Sequence, residues 1–141
     1  MAAMIYKLTK SFEFAYGHRL LNYDGKCRYL HGHNGVVEID VESSKLDNRG
    51  MVIDFNEIRD LIRRWVEDNM DHKMILCAKD PMVDLLRKFD QPLYLMEDNP
   101  TAENIARHIY YQAKNQKLSV TEVRVWETST SCAGFRETNS I

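Results

Sequence analysis

Two stretches of side-chain alternation flank one short cluster of metal-capable residues, and they limit what this chain can fold into. In the first, Tyr6, Leu8, Phe12, Phe14 and Tyr16 share one parity while Lys7, Thr9, Ser11 and Glu13 take the other. In the second, Val37, Ile39 and Val41 alternate with Glu38, Asp40 and Glu42. Period two with aromatic and β-branched residues marks half-buried strands, because successive side chains of a strand point to opposite faces. Between them lies "CRYLHGHN", Cys27 to Asn34.

The rest of the chain alternates less and repeats more. The turn "DNRG" followed by "MVI" predicts a hairpin. Asp54, with Glu57 three residues on, predicts a capped helix start, and Phe55, Ile58, Leu61, Ile62, Trp65 and Val66 recur at helical spacing. "DPMVDLLRKF" predicts a short helix with Asp80 as cap and Pro81 in its first turn. "QPLYLM" reads as a brief extended segment. A second long helix opens at Pro100 and Thr101 and is buried along Ala102, Ile105, Ala106 and Ile109. "VTEVRVWE" predicts a strand, and "CAGFRE" a final one. The order strand, strand, helix, helix, strand, strand predicts a single α+β domain over 1–141, an antiparallel sheet with helices packed on one side.

Composition narrows the function. With 141 residues, 44% of them apolar, the chain can bury one core. Nineteen basic and 21 acidic side chains are spread without a basic block, which argues against a nucleic-acid partner. The apolar runs fall far short of the ~20 residues a membrane span needs. "MAAMIYKLTK" does not read as a secretory signal. Three irregularly spaced cysteines, Cys27, Cys77 and Cys132, do not form a disulfide framework, so a reducing, cytoplasmic setting is expected. Ordinary burial is the expectation for Cys77 and Cys132.

His31 and His33, two apart on a strand, project from one face, and an antiparallel neighbour brings His18 close to them. Three histidines with a fourth position left to water or substrate make a catalytic zinc site. The plainer alternative is that each is a surface or hydrogen-bonded residue. Cys27 has two readings: a fourth ligand, which would close the site and make it structural, or a thiol beside the metal, with its pKa lowered, that takes a proton from a substrate. Asp71 beside His72 has the form of a carboxylate-oriented proton relay. Glu127 continues the apolar parity of Val123 and Val125, and a buried carboxylate needs a partner. That partner is either an arginine, Arg124 or Arg136, or a ligand with paired N–H donors.

These pieces together resemble the 6-pyruvoyltetrahydropterin synthase family, and within it the bacterial 6-carboxytetrahydropterin synthases of queuosine biosynthesis. The resemblance rests on "FAYGHRL", "CRYLHGHN", "GMVIDFNEI", "MDHKMI", "NPTAENIA" and "WETSTSCAGF", and covers nearly the whole chain. It implies a tunnelling fold (T-fold), a four-stranded antiparallel sheet with two helices between its second and third strands. It implies trimers pairing into homohexamers, with sites at subunit interfaces. Carried onto this sequence, His18, His31 and His33 hold zinc and Cys27 is the general base. Asp71 and His72 are relay residues from a neighbouring subunit. Glu127 anchors a pterin, assisted by Thr128. The implied activity is that of a lyase converting 7,8-dihydroneopterin triphosphate to 6-carboxytetrahydropterin, acetaldehyde and triphosphate. The four-residue step from Cys27 to His31 is similar to the carboxy-forming enzymes, whereas the pyruvoyl-forming animal enzymes have a longer gap. The rivals are a pyruvoyl-forming synthase and a non-catalytic zinc- or pterin-binding oligomer. Lys26, Arg28 and Arg19 are the cations near Cys27 for a triphosphate. Two places depart from common family patterns: "FAYGH" replaces the more usual "SAAH", and Gly35 stands where an aromatic is frequent. Both lie beside the histidines and bear on how a substrate side chain is positioned.

Overall fold

The computed structural model describes residues 2–138. Two 13-residue strands, β1 (Tyr6–His18) and β2 (His31–Ser43), pair antiparallel along their full length, from Tyr6 opposite Ser43 to His18 opposite His31. β2 pairs antiparallel with β5 (Val120–Thr128), and β5 with β6 (Ser131–Phe135). These four are the expected antiparallel strands. Two more extend the sheet beyond β1, namely β3 (Lys73–Cys77) and β4 (Leu93–Met96), both joined in parallel, giving the order β4-β3-β1-β2-β5-β6. The strand count is therefore six rather than four. "KMILC" and "LYLM" are short apolar runs in which periodicity alone does not separate strand from helix.

The predicted "MVI" hairpin strand does not form. The Asp47 carboxylate accepts from the N–H groups of Arg49 and Met51 at 2.8 and 3.0 Å, which closes a side-chain-held loop where a ladder would need those donors. Beyond it, the first long helix runs through α1 (Phe55–Ile58), a π-helical turn (Arg59–Arg63) and α2 (Arg64–Asn69). Its cap is as expected: Asp54 Oδ1 accepts from Asn56 N–H at 2.8 Å. A short α3 (Met82–Lys88) links β3 to β4, and the Asp80 carboxylate accepts from Met82 N–H at 2.8 Å. The last helix, α4 (Ala102–Asn115), is capped by Thr101, whose Oγ1 accepts from Asn104 N–H at 3.1 Å. No helix among the described residues is long and apolar enough to cross a membrane.

Parity decides which face of the sheet is covered. Val37, Ile39, Val123 and Val125 lie fully buried beneath Ile58, Ile62 and Val66 of the first helix and Ile105 and Ile109 of α4. Each such aliphatic side chain contributes about 1.5–3 kcal/mol on burial. The opposite face carries a charge network. Arg124 donates to both oxygens of Asp40 (2.6 and 2.8 Å), to Glu38 at 3.1 Å and to Glu122 at 2.6 Å, while Thr9 donates to Asp40 at 2.6 Å. Burial pushes the Asp40 carboxyl up, but the bonds from Arg124 and Thr9 outweigh it and hold it below its ordinary value.

Two outcomes follow. Ile62→Ala, at a fully buried position, should cost about 3 kcal/mol in urea unfolding, and Phe55→Ala, half exposed, under about 1 kcal/mol; comparable losses would contradict this packing. Below about pH 4 the unfolded chain takes up a proton that folded Asp40 resists, so stability falls with acidification. Asp40→Asn should flatten part of that acid slope, and a slope identical to the native protein's would show that the network does not govern it.

Candidate active site

The β1–β2 register brings the three histidines together. His18 lies opposite His31, and Tyr16 opposite His33, so all three imidazoles leave the helix-covered face at the open end of the strand pair. Two of the rings are oriented by main chain. The Nδ1–H of His18 donates to the Pro100 carbonyl and that of His31 to the Tyr29 carbonyl, each at 2.7 Å. A carbonyl only accepts, so Nδ1 carries the hydrogen in both rings and Nε2 keeps its lone pair.

The Nε2 atoms of His18, His31 and His33 are all buried and have no hydrogen-bond partner among the described residues. One ligand atom from each histidine lies within 4.8 Å of the others. Buried polar atoms are normally paired, so three orphaned lone pairs directed into one volume fit a cation with a preference for imidazole nitrogen. Burial, with smaller contributions from the other two histidines, lowers the pKa of His18 to about 4, against the opposing bond to Pro100. The ring is therefore neutral and able to coordinate at ordinary pH.

Glu127 stands over this cluster. Its carboxylate oxygens lie 3.9 Å from His18 Nε2 and 4.0 Å from His33 Nε2. The β5–β6 register shifts between Trp126 and Thr128, so Glu127 sits at a bulge, a feature that re-aims a side chain. Arg124, one of its two candidate arginine partners, belongs to the opposite parity and is committed to Asp40, Glu38 and Glu122. Thr128 is exposed, with its hydroxyl 3.2 Å from that of Thr130, and lines a different depression from Glu127.

Cys27 is half-buried in a single 3-10 turn, Lys26–Arg28, whose loop is held by Leu20 N–H donating to the Cys27 carbonyl at 2.9 Å. It shares a cavity of about 620 Å³ with His18, Glu127, Asn99, Thr101 and Glu103. The group of ligand atoms that could hold a metal consists of the three histidines and does not include its thiol. Asp71 and His72 are paired as expected, His72 Nδ1–H donating to Asp71 Oδ2 at 2.7 Å, and Asp71 Oδ1 also accepts from Ala15 N–H at 2.9 Å. His72 has a φ of +58° and an imidazole that is mostly exposed. It lines a second cavity of about 600 Å³ with Tyr16, His31, His33 and Asn34, whereas Cys27 lines the first, with His18. Within one chain the relay pair and the thiol are therefore not brought together.

The sequence reading missed the part played by Asn99 and Pro100. The Asn99 side chain accepts from Leu21 N–H and donates to the Leu21 carbonyl, both at 2.9 Å, pinning the Cys27 loop beside the carbonyl that orients His18. The signal was the "NPT" helix start, read only as a cap. Of the three nearby cations, Arg19 is bound through Nε and Nη2 to buried Asp80, and Arg28 donates to the Asp24 carbonyl and to Tyr29. Cys77 is buried as expected, but Cys132 is exposed, because it lies on the helix-free face of edge strand β6 opposite Trp126.

Comparison with known proteins agrees with this architecture. The family described as 6-pyruvoyl tetrahydropterin synthase matches residues 7–138. A protein of Rickettsia conorii named 6-carboxy-5,6,7,8-tetrahydropterin synthase is 40% identical over 129 residues, 86% of this chain and 94% of its own. The protein of the same name from Haemophilus influenzae is 31% identical over 141 residues, 94% of this chain and 100% of its own. Among solved structures, an uncharacterized protein from Wolinella succinogenes shares the fold with a TM-score of 0.80 at 24% identity, covering 96% of this chain and 99% of its own. The 6-pyruvoyl tetrahydropterin synthase of Caenorhabditis elegans does so with a TM-score of 0.70 at 21% identity, covering 98% and 100%. With a three-histidine cluster at the end of its two longest strands and a family match that spans nearly every residue, the chain belongs to the 6-pyruvoyl tetrahydropterin synthase family.

Proposed function

We propose that this protein is a zinc-dependent 6-carboxy-5,6,7,8-tetrahydropterin synthase acting on 7,8-dihydroneopterin triphosphate, a carbon–carbon lyase of the queuosine route. The observation that carries the reading is the histidine cluster and its setting: three orphaned imidazole nitrogens converge, and one of those rings, His18, shares a cavity with the Glu127 carboxylate and with a thiol that is not one of the clustered ligands. The names of the Rickettsia and Haemophilus relatives support the carboxy-forming product, as does the four-residue step from Cys27 to His31.

His18, His31 and His33 hold the zinc through Nε2, with Pro100 and Tyr29 fixing two of the rings. Bound there, zinc supplies a Lewis acid for the hydroxyls of the substrate side chain. Cys27, as thiolate, removes a proton from the side-chain carbon next to the ring; its transfer to the ring leaves a carbonyl there, and loss of the proton on the middle carbon then expels the triphosphate from the terminal carbon with its bonding pair. His72, held by Asp71, moves protons during the tautomerisation that reduces the ring at the expense of the side chain. Cleavage of the side chain with uptake of one water then gives the ring carboxylate and acetaldehyde. Glu127 accepts from the ring N–H and the exocyclic amine of the pterin, bonds strengthened by its charge.

His72 lines a different cavity from Cys27 in the same chain, which supports delivery of the relay pair by a second copy. A homo-oligomer, trimers pairing into hexamers, provides that copy. The cytoplasm, where thiols stay reduced, suits a catalytic Cys27.

Cys27→Ala should abolish turnover and keep full zinc content; zinc lost along with activity would make Cys27 a ligand. Mass spectrometry of the products from 7,8-dihydroneopterin triphosphate should find 6-carboxytetrahydropterin with acetaldehyde. A pyruvoyl product would place the protein with the elimination-only synthases, and no turnover with zinc bound would contradict the enzyme reading.

A further inference from the structure

No residue from Leu21 to Leu30 is buried, so packing into the core does not fix the loop that carries Cys27. Its hydrogen bonds are mostly internal. Arg28 N–H donates to the Gly25 carbonyl at 3.2 Å and Tyr29 N–H to the Lys26 carbonyl at 3.1 Å, while the Arg28 guanidinium donates to the Asp24 carbonyl and the Tyr29 hydroxyl. Among the described residues, residues 22–28 make one hydrogen bond beyond their own turn and Tyr29: the Cys27 carbonyl accepts from Leu20 N–H at 2.9 Å. Where the thiol sits therefore depends on what holds Leu20 and its neighbours.

Those neighbours are tied down one after another. The His18 ring donates to the Pro100 carbonyl, Arg19 is paired with buried Asp80, and the Asn99 amide takes both main-chain groups of Leu21, each at 2.9 Å. A carboxamide carries an acceptor and a donor side by side, which matches the N–H and C=O of a single residue. Asn99 is itself fixed at the start of α4, where its carbonyl accepts from Thr101 N–H and from Asn104 Nδ2, both at 2.9 Å. Because Asn99 and Pro100 are adjacent, one capped helix start holds the His18 ring through Pro100 and the thiol loop through Asn99.

We propose that Asn99 is the positioning residue of Cys27: by holding both main-chain groups of Leu21, it fixes where the thiol stands relative to the histidine cluster. This rests on the role of Cys27 as base given above. A reacting group displaced by about 1 Å loses roughly a hundredfold in rate, so a loop without a buried anchor needs such a brace.

The test is limited trypsin digestion and steady-state kinetics of the zinc-loaded protein in its native form, as Asn99→Ala and as Asn99→Asp. Lys26 and Arg28 are exposed and flank Cys27, so cleavage after them, followed by mass spectrometry, reads release of the loop. Asn99→Ala should be cut there roughly tenfold faster, the loosening expected from two lost hydrogen bonds. With 7,8-dihydroneopterin triphosphate its kcat should fall roughly a hundredfold while KM stays within about threefold and zinc content stays full, the split expected when only transition-state geometry is lost. Asn99→Asp keeps the bond from Leu21 N–H, loses the one to the Leu21 carbonyl, and should show smaller changes of the same kind; it carries the test if the alanine variant does not fold. Native cleavage at both sites, or faster cleavage with native kcat, would overturn the role of Asn99. Zinc lost together with kcat would do so as well, by placing the effect on His18. Turnover retained in Cys27→Ala would instead overturn the base role of Cys27, and with it the proposal.

Discussion

The register of β1 against β2 is the constraint on which the rest depends. It runs from Tyr6–Ser43 to His18–His31, and because side chains alternate, a slip by one residue would send every aromatic and every histidine of one strand to the other face. The buried stripe of Phe12, Phe14, Val37 and Ile39 therefore does more than form a core. It locks the positions at which His18, His31 and His33 converge, at the end of the same ladder. Packing of apolar groups under α2 and α4 fixes the metal-binding geometry that no local interaction among the imidazoles could impose.

The two faces of the sheet solve opposite problems. On the helix-free face, charge is matched: Asp40, 2% exposed, takes both its oxygens to Arg124, and Glu38 and Glu122 complete the set. On the covered face near the strand ends, polar atoms are left unmatched, three Nε2 atoms and the Tyr16 hydroxyl. Local violations of pairing concentrated at one place in an otherwise satisfied structure are the mark of a site built for something else to complete. The carbonyls of Pro100 and Tyr29 show the same purpose, since each fixes the tautomer that leaves the inward nitrogen free.

Much of this was legible in the sequence because it rests on period and spacing. Alternation gave β1, β2 and β5, Asp54 and Thr101 marked helix starts, and two histidines at i and i+2 on a strand had to share a face. What was not legible depends on contacts between distant segments. From the sequence, β3 is not read as a strand and β4 is read only as a brief extended segment; that both join the sheet comes from parallel pairing with β1 and with each other. "MVI" has strand-like residues, but Asp47 takes the donors nearby. Cys132 looked like a core residue until edge strand β6 turned it to the exposed face. That His72 and Cys27 line different cavities depends on where the loop before β2 and the turn before β3 lie, visible only once the strands are placed. Tyr16 and Gly35 looked like two separate departures; that one makes room for the other, since a Cβ on Gly35 would lie 2.8 Å from Tyr16 Cε1, needs the strands side by side.

The central claim is that three histidine nitrogens hold the metal and that Cys27, which shares a cavity with one of them, His18, stays off it. X-ray absorption at the zinc edge of the zinc-loaded protein tests both halves at once. The account predicts three imidazole nitrogens at about 2.0–2.1 Å with the remaining position filled by a light atom of solvent. A sulfur scatterer at about 2.3 Å would make Cys27 a ligand, close the site, and contradict the assignment of the thiol as base.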